Sequence, residues 1–576
     1  MPPQITVLDA GGQYCHLIAR RVRNFGVYAE VAPSETPAAS LTGRKGIIIS
    51  GGPASVHDPG SPTIDPTLLR SGTPVLGICY GHQLMTQLLG GKVEKGEHGE
   101  YGFAQLKIDV NDGVLRGLDP RQQVWMSHFD TVVAAPEGFR VLASTETCTI
   151  AAIADPEKKL FAVQFHPEVA HTPCGPAILK NFLFDICGCV PDWDPAGQVL
   201  AIEEHIRKTA GDRNIFFFVS GGVDSTVAYH LCLRALGADR VRGAYVDTGL
   251  MREGETSLVR RNFESLSVFD ASAEFLGALE NITDPEQKRR AIGEGFVKVQ
   301  ERVLESEHFL DGRWILGQGT IYPDTIESGG SAKADLIKTH HNRVPGIQAL
   351  IAAGRIVEPL ASFYKDEVRA IGRELHLNPE LLDRHPFPGP GLAIRCLCST
   401  TEGAPEKAAE GWILPVRSVG VQGDARTYRP VLVLERFPES MEEAARLTNR
   451  IAGVNRVIVA VWTACHVDQL RTFRASLSPE RLARLRRADA IVRSLAREFD
   501  ASIWQFPVVL IPAGTPDRPD SVVLRPIDSV DGMTASAVRM PAPLLESIAA
   551  ALREVEGIGG VFYDITNKPP ATIEWE

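Results

Sequence analysis

Five apolar residues, Ile215-Phe216-Phe217-Phe218-Val219, run without a break into Ser220-Gly221-Gly222-Val223-Asp224-Ser225-Thr226, and Val227-Ala228-Tyr229-His230-Leu231 then reads as the start of a helix. The apolar run fits a buried strand. A strand, a glycine turn and a helix N-terminus in direct succession make an anion site, because backbone N–H groups point outward and the helix dipole favours negative charge. Gly221 and Gly222 let the backbone approach a phosphate with no Cβ in the way. Ser220, Ser225 and Thr226 can add hydroxyl donors, and Asp224 can hold a metal or brace the turn. The Gly-x4-Gly-Lys-Ser/Thr spacing and its lysine are absent, so this is not a Walker loop. Taken alone, the same turn is also an ordinary helix cap in an α/β domain.

At 576 residues the chain is too long for one core, and its length suggests roughly three or four domains. A net charge of −11 excludes a nucleic-acid binder held by bulk electrostatics. An anionic small substrate must then be held by local clusters such as Lys288-Arg289-Arg290, although by itself that triplet reads as a solvated helix face. The 10 cysteines include no C-x-x-C pair, which suggests neither a zinc site nor a disulfide framework. Cys187/Cys189 and Cys396/Cys398 read as incidental pairs. The N-terminus leads straight into a strand, with no signal-peptide pattern, and no apolar stretch reaches the roughly 18–20 residues that span a bilayer. The expectation is a soluble cytoplasmic protein with neither a membrane nor a nucleic acid as partner.

Residues 1 to about 190 alternate strands and helices: Ile5–Leu8, a helix at Cys15–Phe25, then strands at Gly46–Ser50 and Pro74–Ile78. Ser50-Gly51-Gly52-Pro53 is a turn whose glycines can bare backbone N–H groups. Gly77-x-Cys79-x-Gly81 has the spacing of a nucleophile elbow, in which small residues on both sides permit a strained strand-to-helix turn. Gln83–Leu89 suits the helix that such an elbow feeds. A cysteine at a helix N-terminus has its thiolate favoured, and a nucleophile needs a base with an orienter. The strand Phe161–Phe165 runs into His166-Pro167-Glu168, which offers both. A lone cysteine is more often a small buried hydrophobe. The elbow, the upstream glycine turn and the downstream pair together outweigh that reading.

Gly77–Gln83, Ser50–Pro53 and His166–Glu168 resemble the class I glutamine amidotransferase family. The resemblance implies that glutamine is hydrolysed to ammonia by Cys79 as nucleophile, His166 as base and Glu168 as orienter. It also implies an oxyanion hole from the N–H groups of Gly52 and Tyr80.

Pro191–Gly197 is a turn-rich linker, and beyond it a second α/β domain opens with a helix near Gln198–Thr209. Val241–Val246 ends in Asp247-Thr248-Gly249, at the strand edge where open parallel sheets place ligands, and Ile315–Thr320 repeats the strand-to-glycine pattern. The adjacent His340-His341 lack a third metal ligand at suitable spacing. Tyr364-Lys365-Asp366-Glu367-Val368 heads a helix, and His385-Pro386-Phe387-Pro388-Gly389-Pro390-Gly391 is a stiff loop that shapes a pocket. Ser220–Thr226, Asp247–Arg252, Gly317–Asp324, Ile337–Asn342 and His385–Gly391 resemble the ATP pyrophosphatases and, within them, the glutamine-hydrolysing GMP synthases. That resemblance implies binding of ATP, with Mg2+ and no organic prosthetic group, at Ser220, Gly221, Gly222, Val223, Asp224, Ser225 and Thr226. Which residues would hold the metal stays open. It further implies that ATP adenylates xanthosine monophosphate (XMP) and that ammonia displaces AMP to give GMP.

The C-terminal third repeats a β-β-α-β pattern. Ile413–Val421, Tyr428–Glu435, Met441–Ile451 and Val457–Val461 are matched by Phe506–Ile511, Val522–Pro526, Leu544–Glu556 and Gly560–Ile565. The helix-rich stretch Pro479–Phe499 lies between the copies. Val419–Tyr428 in the first copy, and Val530–Ala535 and Ile565–Glu576 in the second, are similar to the C-terminal domain of the GMP synthases. Carried over, the XMP contacts fall on Arg289, Asp424, Gln505, Lys568 and Glu574, with Lys568 and Arg289 suited to a 5′-phosphate.

The expected fold is therefore α/β: an amidotransferase domain over 1–190, an adenine-nucleotide α-hydrolase-like parallel sheet over 198–395, and a duplicated α+β domain over 396–576 with copies at about 411–478 and 500–576. Two units packed within one chain imply a monomer, with a homodimer as the alternative. The rival readings are an ATP-dependent amidotransferase acting on another purine nucleotide, and a non-catalytic nucleotide sensor.

Overall fold

A computed structural model of the chain describes residues 2–12, 14–263, 265–326, 344–385, 387–422, 425–440, 443, 446–447, 453–529, 535–568 and 570–576. They form two compact units, Met1–Asp194 and Pro195–Glu576. Asp424, the Ile337–Asn342 motif and most of Met441–Ile451 lie outside the described residues.

The first unit is built on a nine-stranded mixed sheet of β1 (Ile5–Asp9), β2 (Ala29–Pro33), β3 (Gly46–Ile49), β4 (Val75–Ile78), β5 (Lys92–Ile108), β6 (Arg121–Ala134), β7 (Arg140–Ser144), β8 (Ala152–Asp155) and β9 (Leu160–Val163). Its order is β2-β1-β3-β4-β9-β8-β7-β5-β6. The first five of these run parallel, and their unalternated apolar residues (Ile47, Ile48, Ile49, Val75, Leu76, Ile78) are buried because helices cover such a sheet on both faces. Helix α1 (Cys15–Asn24) turns Cys15, Ile18, Ala19 and Val22 inward, the i, i+3, i+4, i+7 stripe of an amphipathic helix. The pairing that matters most is local. Gly77 on β4 lies opposite Ile49 on β3, and Ile78 opposite Val163 on β9, so three adjacent parallel strands end side by side. The long β5–β6 hairpin was not expected from the sequence, and it carries Tyr101, Phe103 and Phe129 exposed.

The second unit contains two larger sheets. One is parallel throughout, in the order β12-β11-β10-β13-β14, with β10 (Asn214–Phe218), β11 (Val241–Asp247), β12 (Leu266–Asp270), β13 (Trp314–Gly317) and β14 (Ile356–Val357). The apolar run before the glycine turn is its central strand. Helix α3 (Val223–Leu236) follows that turn, where α2 (Tyr80–Leu88) follows Cys79 in the first unit.

The other large sheet, of seven strands, takes β15 (Glu406–Ala408), β16 (Gly411–Gln422), β17 (Ala425–Leu434), β18 (Arg456–Thr463), β20 (Val508–Ile511), β22 (Asp520–Leu524) and β25 (Ile558–Asp564), in the order β15-β16-β17-β18-β25-β22-β20. Short pairs β19 (Arg471–Thr472) with β21 (Ala513–Gly514), and β23 (Ile527–Asp528) with β24 (Ser536–Ala537), lie outside it. Read outward from the antiparallel β18–β25 pair, each half repeats one parallel and then one antiparallel pairing: β18 to β17 to β16, and β25 to β22 to β20. The halves are thus related by an approximate two-fold axis between β18 and β25. The chain end crosses that axis: Val419 N–H on β16 donates to Trp575 O at 2.9 Å, and Arg456 on β18 donates to Thr572 O and Glu574 O at 2.9 and 2.8 Å.

Candidate active sites

Cys79 terminates β4 and caps α2, with φ 52° and ψ −104°. A non-glycine residue in such a conformation stores roughly 1–3 kcal/mol of strain, held only where the surroundings over-determine it. The surroundings here are tight: a Cβ on Gly77 would lie 2.7 Å from the Gly81 carbonyl, and one on Gly81 would run into Ile49 O. The N–H of Cys79 donates to Val163 O at 2.8 Å, which ties the elbow to the strand that delivers His166. Gly51 sits against both residues, for a methyl there would stand 3.0 Å from His166 Cε1 and 3.4 Å from Cys79 Cβ.

His166 donates from Nδ1 to Glu168 Oε1 at 2.7 Å, which leaves Nε2 for the thiol side. Both residues are buried, Glu168 completely. Burial works against a charged ring, but Glu168 and Cys79 outweigh it, and His166 is held well above the ordinary histidine range. Arg21 Nε donates to Glu168 O at 2.9 Å, and the Tyr14 ring meets the imidazole edge-on at 5.4 Å between centroids. Tyr80 is the first residue of α2, where an N–H has no intrahelical acceptor, and its hydroxyl donates to Pro62 O at 2.6 Å. Gly52 packs so closely on Ala10 O that a side chain there is excluded. Beneath the elbow lies a polar layer that sequence reasoning missed. Gln83 donates to Asp130 O at 2.8 Å, and burial pushes His82 down to about 3, so that it stays neutral.

The second constellation is the glycine turn. Gly221 has φ +75°, the left-handed region. Ser220 and Ser225 present their hydroxyls within 3.2 Å of each other, partly exposed. Thr226 is buried, and its N–H and its hydroxyl both donate to Gly222 O, at 3.0 and 2.7 Å, so it braces the turn; Val223 is likewise buried. Gly319, just beyond β13, passes so near that a Cβ would come within 2.6 Å of Ser225 N. Asp224 accepts from Lys365 Nζ at 2.8 Å, while its other oxygen is buried with no hydrogen-bond partner among the described residues. Lys365 therefore brings to this loop the cation that a Walker loop carries within itself. Its position at the head of a helix (Lys365–Glu374) drew attention in the sequence, but its role did not. A carboxylate oxygen without a partner fits a hard dication such as Mg2+ brought in by phosphates.

The triplet Lys288-Arg289-Arg290 divides three ways on the helix Pro285–Ser306. Lys288 is fully buried and is no anion-binding residue: its Nζ donates to Ala393 O and Cys396 O, each at 3.2 Å, and to the Glu576 carboxylate. Burial opposes its charge, but Glu576 more than restores it. Arg290 is exposed and pairs with Glu294 at 2.9 Å. Only Arg289 is half-buried, with Glu286 Oε1 at 2.7 Å and Tyr428 OH on that same oxygen at 3.1 Å. Glu574 is forked by Arg395 at 2.9 and 2.7 Å. The tail thus brings Glu576 to the helix that carries Arg289, and Glu574 to Arg395. Gln505 is buried, with its backbone paired to Ile527, and Lys568 is paired through its backbone to Ala535. Among the described residues no helix is long and apolar enough to cross a membrane.

Comparison with known proteins gives consistent matches. Residues 6–186 match the family model of class-I glutamine amidotransferases, and residues 495–575 that of the GMP synthase C-terminal domain. A protein of Leptospira interrogans named "Probable GMP synthase [glutamine-hydrolyzing]" is 42% identical over 100% of this chain and 99% of its own. Proteins named "GMP synthase [glutamine-hydrolyzing]" from Symbiobacterium thermophilum and Aquifex aeolicus are 41% and 38% identical, each over 99% of both chains.

Proposed function

The chain belongs to the glutamine-hydrolysing GMP synthase family, and from that premise we propose that it converts XMP, ATP, glutamine and water to GMP, AMP, diphosphate and glutamate, the last step of making GMP de novo. The observation that carries the first half is the aligned Cys79–His166–Glu168 set at the ends of β4 and β9. The Cys79 thiolate attacks the glutamine amide carbon, and the oxyanion that forms accepts from the N–H groups of Gly52 and Tyr80. His166, protonated and steadied by Glu168, gives its proton to the departing ammonia and then activates the water that releases glutamate.

In the second unit the glycine turn Ser220–Thr226 holds the diphosphate of ATP on its bared N–H groups, with Lys365 supplying positive charge. The XMP oxygen at C2 attacks the α-phosphorus, diphosphate leaves, and ammonia then displaces AMP at the same carbon. Asp224 would hold a magnesium ion bound with ATP, and that ion supplies neutralisation of the phosphate charge. Arg289 and Lys568 are assigned to the XMP 5′-phosphate and Asp424 and Gln505 to its sugar or base, with Glu574 as a further nucleotide contact. We further propose the division into 1–190, 198–395 and 396–576, with the last a duplicated unit, and a cytoplasmic monomer. The two-fold sheet supports a monomer, because each half already has its partner within the chain.

The test that separates this reading from its rivals is AMP release from ATP with ammonium, using XMP and other purine nucleotides in turn. Release with XMP alone supports the reading. Release with another nucleotide but not with XMP makes the chain a different amidotransferase, and no release with any makes it a sensor.

A further inference from the structure

Three charged side chains of one short segment, Arg384–Arg395, reach the glycine turn, the chain just before Gln505, and Glu574. Arg384 Nη1 donates to Gly221 O in the glycine turn at 2.7 Å, and its other nitrogen pairs with buried Glu255. His385 meets acceptors at both ring nitrogens: Nδ1 lies 2.6 Å from Trp504 O, and Nε2 lies 2.8 Å from Asp500 O and 3.0 Å from its Oδ1. A neutral imidazole has a single N–H, so acceptors on both sides hold this ring as an imidazolium that donates twice. Trp504 immediately precedes Gln505. Arg395, fully buried, forks Glu574 at 2.9 and 2.7 Å, the bidentate geometry that fixes orientation as well as distance. Between these anchors the Phe387 ring has the Arg252 and Arg395 guanidinium carbons at 4.5 and 5.4 Å from its centroid, and Arg252 pairs in turn with buried Asp489.

Resting on the reading of this unit as an XMP-adenylating site, we propose that Arg384, His385 and Arg395 are positioning residues that hold the diphosphate turn and the purine-nucleotide side in a single register. Adenylation needs the XMP oxygen in line with the α-phosphorus, and a misplacement of about 1 Å can cost on the order of a hundredfold in rate. A strap fastened at both substrate sites and stiffened in the middle meets that requirement, and it ties each site to the other.

The experiment is ammonium-supported GMP synthesis, which bypasses Cys79, with KM measured for ATP and for XMP in the wild type, R384Q, R395Q and R384Q/R395Q. R384Q is expected to raise the KM of XMP as well as that of ATP, and R395Q that of ATP as well as that of XMP, each about tenfold. The double variant is expected to fall short of the product of the two effects. Effects confined to the substrate nearest each arginine, and multiplying in the double variant, would overturn the proposal. Thermal melting and glutamine hydrolysis in each variant identify loss of fold. If R384Q does not fold, R384K and H385N give the same reading: both KM values move together if the strap couples the sites, and one moves alone if it does not. Wild-type protein that releases no AMP from ATP and XMP removes the proposed reaction itself, and this proposal with it.

Discussion

At the scale of single residues, the glutaminase site rests on one hydrogen bond and one pair of charges. Glu168 accepts from His166 at 2.7 Å and, together with Cys79, holds the imidazole charged against the effect of its own burial. The sign of the pH effect follows. A histidine raised above its ordinary value of about 6.5 keeps its proton through neutral pH and loses it only on the alkaline side. If His166 is the group that protonates ammonia, the alkaline limb of glutamine hydrolysis is expected to lie above the ordinary histidine range. Glu168→Gln removes one of the two supporting charges. It is expected to move that limb toward lower pH and to lower the hydrolysis rate by about a hundredfold or more, read from a pH–rate profile. An unmoved limb would mean that Glu168 does not set the charge of His166. The strained turn at Cys79 was legible in the sequence because an elbow demands small neighbours at fixed spacing, and Gly77 and Gly81 announce it; His166 and Glu168 stood out at the end of the strand that runs into them. Lys365 was not legible: a lysine in a helix's first turn looks like any solvated lysine until the fold sets it 2.8 Å from Asp224.

At the scale of elements, the helix Pro285–Ser306 and the chain's last residues form one structure through buried ions. Lys288 has no exposed surface and Glu576 almost none, and Lys288 completes its shell with two carbonyl oxygens. Removing one partner of such a pair strands the other's charge, at a cost of roughly 3–5 kcal/mol. Lys288→Ala is expected to lose stability on that scale, read by denaturant melting of the whole chain. Lys288→Met paired with Glu576→Gln is expected to recover most of the loss. A Lys288→Ala protein as stable as wild type would show that the pair does not anchor the tail. The sequence could not separate Lys288 from Arg289 and Arg290, because three adjacent cations face three directions on a helix and only packing decides which one is buried. The strand–turn–helix junctions at Cys79 and Ser220 were legible for the opposite reason: each is one continuous stretch, and its local chemistry already dictates its shape.

At the scale of the whole molecule, the seven-stranded sheet is the main constraint on assembly. Its two halves meet at β18 and β25, and the tail from the second half reaches β16 in the first. Sedimentation at low micromolar concentration is expected to give a monomer, and a dimer that survives high salt would contradict that. A recurring β-β-α-β pattern is an expectation that the local sequence can raise, whereas the crossing of the tail is not, since contacts between residues more than a hundred positions apart leave no local pattern. In the proposed reaction, one site in this chain makes ammonia and another consumes it. The most direct measurement is GMP formation from XMP and ATP by a Cys79→Ala protein, with glutamine and with ammonium as alternative nitrogen sources. The expected result is no product with glutamine and wild-type rates with ammonium; product with glutamine, or none with either, would contradict the account.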